Sequence, residues 1–233
     1  MHIRIVAIAL LLGSLGTAEA ATAPPGAGDN GDWAFLGRYR DANASLKPDA
    51  SRIVFMGDSI TEGWAKEPSF TGSAHFVGRG VSGQTTQQML VRFRADVIDL
   101  TPALVHIMAG TNDVAGNNGP ESDTEIEEAI SSMVELALVH HIKVLLASIP
   151  PAADFAWRPG LQPTPRIRRL NAWLKSYAGH TGIGYVDYWP ALAEDDGSMK
   201  SSYSSDGVHP NAEGYKAMLP ITRAAVDSAL RKH

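Results

Sequence analysis

The chain has 233 residues, a formal net charge of −5, 44% hydrophobic and 19% charged residues, and no cysteine. That length suits one domain with a substantial core, and the composition is that of a folded globular chain, neither disordered nor built for a membrane interior. The charge balance lacks the basic excess that favours nucleic acid or an anionic membrane surface, and the missing cysteine excludes disulfides, thiol nucleophiles and cysteine-ligated zinc.

The first twenty residues belong to a different problem. Arg4 precedes an apolar run from Ile5 to Leu12, and Ala18-Glu19-Ala20 offers a small-residue cleavage pattern. Together they predict a secretory signal peptide at residues 1–20 and export to the periplasm or the medium. The run is too short to span ~30 Å of hydrocarbon, so stable membrane insertion is not expected. Residues 21–50 are expected to form a flexible or packing N-terminal segment, with Ala21 to Asp32 rich in Ala, Pro and Gly. Residues 51–233 are expected to be the folded domain.

From Arg52 onward, short apolar runs alternate with segments of helical period, the signature of an α/β fold with a parallel sheet and helices on its faces. Strands are expected at Arg52–Met56, His75–Val77, Leu104–Ala109, Lys143–Ile149 and Gly184–Val186. Gln84 to Leu100 reads as a helix with Met89, Leu90, Phe93, Val97 and Ile98 on one face, and Asp123 to His141 as another with Ile126, Ile130, Met133, Val134 and Leu138. A third should follow Pro165, carrying Ile167, Leu170, Trp173 and Leu174, and a last should run from Asn211 to Leu230. The long connections are Thr111–Ser122, Pro150–Thr164 and Ala191–Val208. In an open parallel sheet, loops at the strand C-termini carry the ligand site.

Three strand ends and one later motif hold the polar residues of interest. The first strand runs into Gly57-Asp58-Ser59, and Ser59-Ile60-Thr61-Glu62 fits a capping box as well as it fits a nucleophile turn. The second ends in Gly78-Arg79-Gly80-Val81-Ser82-Gly83, a G-x-G-x-x-G string in the wrong place for a dinucleotide site: that fingerprint follows the first strand of a βαβ unit and needs an acid at the end of the next. The third strand ends in Ala109-Gly110-Thr111-Asn112-Asp113, where Asn112 is either a turn former or an amide donor. Ahead of the last helix, Asp206 and His209 are separated by two residues. They read either as a turn aspartate with a surface histidine or as an acid–base pair. Asp113 reads as a loop-capping carboxylate in preference to a second catalytic acid. Trp64, Arg79, Trp157 and Arg158 stand where they could reach a substrate mouth, but each reads first as a packing or surface residue. His140 and His141 close a helix, and no ligand spacing supports a metal.

A hydrolase needs a nucleophile, a base beside it, an acid to orient the base, and donors for the oxyanion, and the four fragments supply one of each. They resemble the SGNH/GDSL hydrolase family, matched by Ser59 in GDSI, Gly83 in GVSGQTT, Asn112 in GTND and His209 in DGVHP, in order over about residues 50–230. The one departure is Ile60 where the family name carries Leu. The resemblance implies a flavodoxin-like three-layer α/β/α domain whose five-stranded parallel sheet has the order 2-1-3-4-5. It also implies ester hydrolysis through an acyl-enzyme, without metal or cofactor. The implied roles are nucleophile for Ser59, base for His209 and orienting acid for Asp206. Ser59 N–H, Gly83 N–H and the Asn112 amide would be the oxyanion donors. The G-x-S-x-G elbow of α/β-hydrolases is absent.

With no lid or long hydrophobic insertion, the expected substrates are short acyl esters, acetyl to butyryl, of a small molecule or a glycan. A carbohydrate O-acetylesterase is the alternative, then a lysophospholipase or thioesterase. A secreted binding module without turnover is the rival from another class, and it has no need of the Ser-Asp-His set.

Overall fold

The computed structural model describes residues 31–231. The expected signal peptide, residues 1–20, lies outside them, as does the stretch 21–30. The elements in chain order are α1 (Arg40–Ala44), β1 (Ile53–Gly57), α2 (Ser59–Trp64), α3 (Pro68–Thr71), β2 (Phe76–Gly80), α4 (Thr86–Asp96), β3 (Leu104–Met108), α5 (Thr111–Val114), α6 (Asp123–Val139), β4 (Lys143–Ala147), α7 (Thr164–Thr181), β5 (Gly184–Val186), α8 (Trp189–Leu192) and α9 (Ala212–Arg231).

The five strands pair in parallel in the order β2-β1-β3-β4-β5. Strands β1 and β3 are buried along their whole length, as expected where helices cover both faces of a parallel sheet and leave no polar-out alternation. Side chains alternate between the two faces. Val54, Met56, Val105, Ile107, Val144 and Leu146 pack with the apolar stripes of α4, α6 and α7. Ile53, Phe55, Leu104, Met108, Leu145 and Ala147 pack with residues of α2, α3, α8 and α9, including Trp64, Phe70, Leu192 and Met218. The result is a three-layer α/β/α sandwich.

Several boundaries differ from the sequence reading. Strand β2 extends to Gly80, so Gly78-Arg79-Gly80 belongs to the sheet and not to the loop beyond it. A Cβ on Gly80 would sit 2.2 Å from the Glu62 amide nitrogen, so the glycine lets the first turns of α2 lie against the strand end. The helix expected over 84–100 is α4 followed by a separate 3-10 turn, Ile98–Leu100, which ends in the left-handed Thr101. Leu138, expected on the buried face of α6, is 44% exposed. Residues 33–43 dock against α4 and the β2 edge: Gln84 Nε2 donates to the Ala34 carbonyl at 2.9 Å, Gln88 Nε2 to that of Trp33 at 2.6 Å, and Asn43 Nδ2 to Asp96 Oδ1 at 2.8 Å. Among the described residues no helix is long and apolar enough to cross a membrane.

The strand order fixes where a site can form. From β1 the chain crosses to β2 on one side and then to β3 on the other, which opens a crevice beyond the strand C-termini at that switch. Gly57 is in register with both Gly80 and Met108, so the loops leaving these three strands begin at one level. Arg92, wholly buried on α4, braces this level. Its guanidinium donates to the Gly57 carbonyl at 3.0 Å, to the Arg79 carbonyl at 2.8 Å and to Asp96 Oδ2 at 3.0 Å.

Candidate active site

Asp58, not Ser59, caps α2. Its carboxylate accepts from the Ile60 amide at 2.9 Å, which makes Ser59 the first residue of the helix proper. The alternative reading of Ser59–Glu62 as a capping box is not realised. Glu62 instead accepts from the Ser82 amide at 2.9 Å and hydroxyl at 2.8 Å, and from Arg38 Nη2 at 2.8 Å, so it ties the loop after β2 to α2. Relieved of capping, the Ser59 hydroxyl lies at the positive end of a helix, with Oγ 2.8 Å from His209 Nε2.

The other imidazole nitrogen, His209 Nδ1, is 2.7 Å from Asp206 Oδ2. A carboxylate can only accept, so Nδ1 carries the proton and Nε2 is left to accept from the serine. The turn reading of Asp206 also holds. Its Oδ1 accepts from the amides of Val208 at 2.9 Å and His209 at 2.8 Å and from the Ser204 hydroxyl at 3.0 Å. One aspartate therefore builds the turn and aims the ring. Partial burial pushes the Asp206 carboxyl up, but the hydrogen bonds from the His209 amide and ring and the Val208 amide outweigh it and bring it down to about 2. The carboxylate stays ionised beside the histidine throughout the neutral range.

Gly83 and Asn112 reach the same place from the neighbouring strand ends. Gly83 has φ +77, a left-handed turn that suits glycine. Asn112 is the second residue of the short helix α5; its Nδ2 donates to the Gln84 carbonyl at 3.0 Å, and its Oδ1 accepts from Asn117 Nδ2 at 2.7 Å. A cavity of about 360 Å³ is lined by Ser59, Ser82, Gly83, Asn112, Asn117, Trp157 and His209. All five expected site residues are thus gathered, four on the wall and Asp206 behind the imidazole.

Asn117 and Trp157 are not among the expected site residues. Asn117 lies in Gly116-Asn117-Asn118-Gly119, which reads as turn material, and Trp157 lies in the long loop after β4. Position in a loop at a strand C-terminus is the only signal either carries. Of the other polar and aromatic residues near the strand ends, Trp64 is fully buried and stacks on Tyr215, Arg79 is buried with its Nε on Asn43 Oδ1, and Arg158 donates to the Gly116 carbonyl. Asp113 accepts from the Thr86 amide at 2.9 Å and from the Thr86 hydroxyl, at the start of α4. Burial pushes its carboxyl up against those hydrogen bonds.

The sequence pattern of the GDSL-like lipase/acylhydrolase family matches residues 55–217, which include all five gathered residues. A candidate acylhydrolase from Bacteroides fragilis superposes with a TM-score of 0.82 at 47% identity, over 85% of this chain and 99% of that one. The isoamyl acetate-hydrolyzing esterase 1 homolog of Bos taurus is 28% identical over 210 residues, covering 76% of this chain and 83% of the relative. An acetylxylan esterase of Geobacillus stearothermophilus is 27% identical over 199 residues, 70% of this chain and 88% of its own length. The sheet order, the strand-end loops and this pattern coincide on one stretch of chain: the protein belongs to the GDSL-like lipase/acylhydrolase family and is a carboxylic ester hydrolase.

Proposed function

We propose that the protein is a serine esterase of short acyl esters, acetyl to butyryl, acting through an acyl-Ser59 intermediate. The observation that carries the reading is the Ser59–His209–Asp206 chain, 2.8 Å and 2.7 Å long, beside Gly83 and Asn112 on one cavity wall. In the first half-reaction Ser59 Oγ attacks the ester carbonyl carbon while its proton passes to His209 Nε2. The carbonyl oxygen takes up the negative charge and is met by the Ser59 and Gly83 amides and the Asn112 Nδ2–H. Collapse breaks the bond to the alcohol, which leaves with the proton from His209. Water then attacks the acyl-serine, gives its proton to Nε2, and the carboxylic acid departs as Ser59 is reprotonated.

Asp206 holds the ring in the useful tautomer and stabilises its charged form. Its side chain and that of His209 are 43% and 38% exposed, so the pair works by orientation more than by a strong buried Coulomb attraction. The cavity of about 360 Å³ beside Ser59 is large enough to seat a small acyl group with part of the leaving alcohol, which supports acetyl and butyryl esters as substrates. Hydrolysis of p-nitrophenyl acetate, butyrate, octanoate and palmitate tests this: acetate and butyrate should turn over at least tenfold faster than palmitate, and the reverse order would sink the proposal.

A carbohydrate O-acetylesterase is the second reading. Trp157, 36% exposed on the cavity wall, offers a flat face on which a sugar ring can stack. The acetylxylan esterase among the relatives has the corresponding activity by name. Acetate release from acetylated xylan, absent in Ser59→Ala, distinguishes this reading from a general esterase. The signal-like residues 1–20 favour action outside the cytoplasm.

A further inference from the structure

The Asn112 amide has to present an N–H, not its oxygen, to a developing oxyanion, and the neighbouring contacts decide which it shows. Asn112 Nδ2 gives one hydrogen to the Gln84 carbonyl at 3.0 Å, which leaves the second for an oxyanion, and its Oδ1 is occupied by Asn117 Nδ2 at 2.7 Å. The same Asn117 nitrogen lies 3.5 Å from the Gly83 carbonyl, so one buried amide touches both residues proposed to stabilise the oxyanion from outside the nucleophile turn. At its other end, Asn117 Oδ1 accepts from Trp157 Nε1 at 3.0 Å. An indole nitrogen can only donate, so Asn117 must turn its oxygen toward Trp157 and its NH₂ toward Asn112. Trp157 is itself held by stacking on the buried Phe155, with ring centroids 5.0 Å apart. Three loops, after β2, β3 and β4, are thereby joined through one side chain.

We infer that Asn117 is a positioning residue, oriented by the Trp157 indole, that locks the Asn112 amide with its N–H toward the reacting carbonyl oxygen. This rests on the proposed acyl-serine chemistry and adds to it the question of what keeps the oxyanion donors aimed. Asn117 acts through Asn112 without itself being one of the donors. Its loss should therefore weaken transition-state stabilisation more than substrate binding. Loosening a donor's aim is expected to cost less than deleting the donor, which typically costs 10²–10³-fold in kcat.

The test is a double-mutant cycle on p-nitrophenyl acetate with the full mature chain: wild type, Asn112→Ala, Asn117→Ala and the double variant, each with kcat, KM and a thermal melt. Asn117→Ala should lower kcat by roughly 10–100-fold, a share of the oxyanion-donor range, with KM within about threefold. In the Asn112→Ala background the same change should lower kcat by less than about threefold, because the group it positions is gone. An equal loss in both backgrounds, or no loss in either, overturns the inference. Should Asn117→Ala not fold, Asn117→Ser takes its place in the cycle under the same criterion. Trp157→Phe, which keeps the ring and removes the donor, should lower kcat in the wild-type background and not in Asn117→Ala; an equal effect in both counts against the indole's part. Ser59→Ala is assayed alongside: turnover persisting there overturns the acyl-serine reading itself, whatever Asn117 does.

Discussion

Asp58 and Ser59 divide two tasks between adjacent side chains. The aspartate satisfies the Ile60 amide at the start of α2, and the serine is left with its hydroxyl on His209. Burial pushes the Asp58 carboxyl up to about 6 from 3.8, while the Ile60 amide and the His209 ring pull the other way. A folded-state value above the unfolded one means that the protonated form favours the fold. That contribution is fully present below about pH 4 and is lost as pH rises through about 6. Asp58→Asn keeps the capping oxygen and has no charge to bury. Its stability relative to wild type should therefore rise between pH 4 and pH 7.5, by on the order of 2–3 kcal/mol. Urea unfolding at the two pH values checks this, and a difference independent of pH would contradict it. At this scale the sequence is only partly legible. Asp58 and Ser59 are both good caps, and a shift of one residue in the helix start decides which of them is free. Asn117 carries no signal beyond its place in a strand-end loop, since two of its partners, Gly83 and Trp157, come from other loops far away in the chain.

The elements are easier to read than their ends. The expected apolar faces of α4, α6 and α7 are largely the buried ones, because a helix on a sheet must present an apolar stripe at its own period. Strand β2 is the exception that teaches most. Gly78-Arg79-Gly80 has little β-propensity, yet pairing with β1 and the close approach of α2 keep it in the sheet. Its Arg79 is buried over the ring of Tyr39, with the guanidinium carbon 4.7 Å from the centroid, a contact supplied by the N-terminal segment. Arg92 reads in the sequence only as part of a helix, although it joins the ends of β1 and β2. Arg92→Ala would leave Asp96 buried without its charged partner and would remove the guanidinium contacts to the Gly57 and Arg79 carbonyls. Breaking a buried pair from one side costs about 3–5 kcal/mol, so the variant should melt well below wild type. A melting temperature within a degree or two of wild type would show that the brace is dispensable.

For the molecule as a whole, function arises at the place where the strand order reverses. Loops after β1, β2 and β3 start at one level of the sheet and bring Ser59, Gly83 and Asn112 together, and the segment before α9 delivers Asp206 and His209 from the far end of the chain. Sequence order alone does not set this geometry; alternating strands and helices predict a parallel sheet, whereas the strand order comes from the family resemblance. The central claim, that this convergence makes Ser59 a nucleophile, is tested most directly by a fluorophosphonate probe, which reacts with activated serines. Wild-type protein should be labelled at Ser59, and folded Ser59→Ala should take up no label and melt within about 1 kcal/mol of wild type. A folded wild type that stays unlabelled, or a Ser59→Ala variant that still labels, would contradict it.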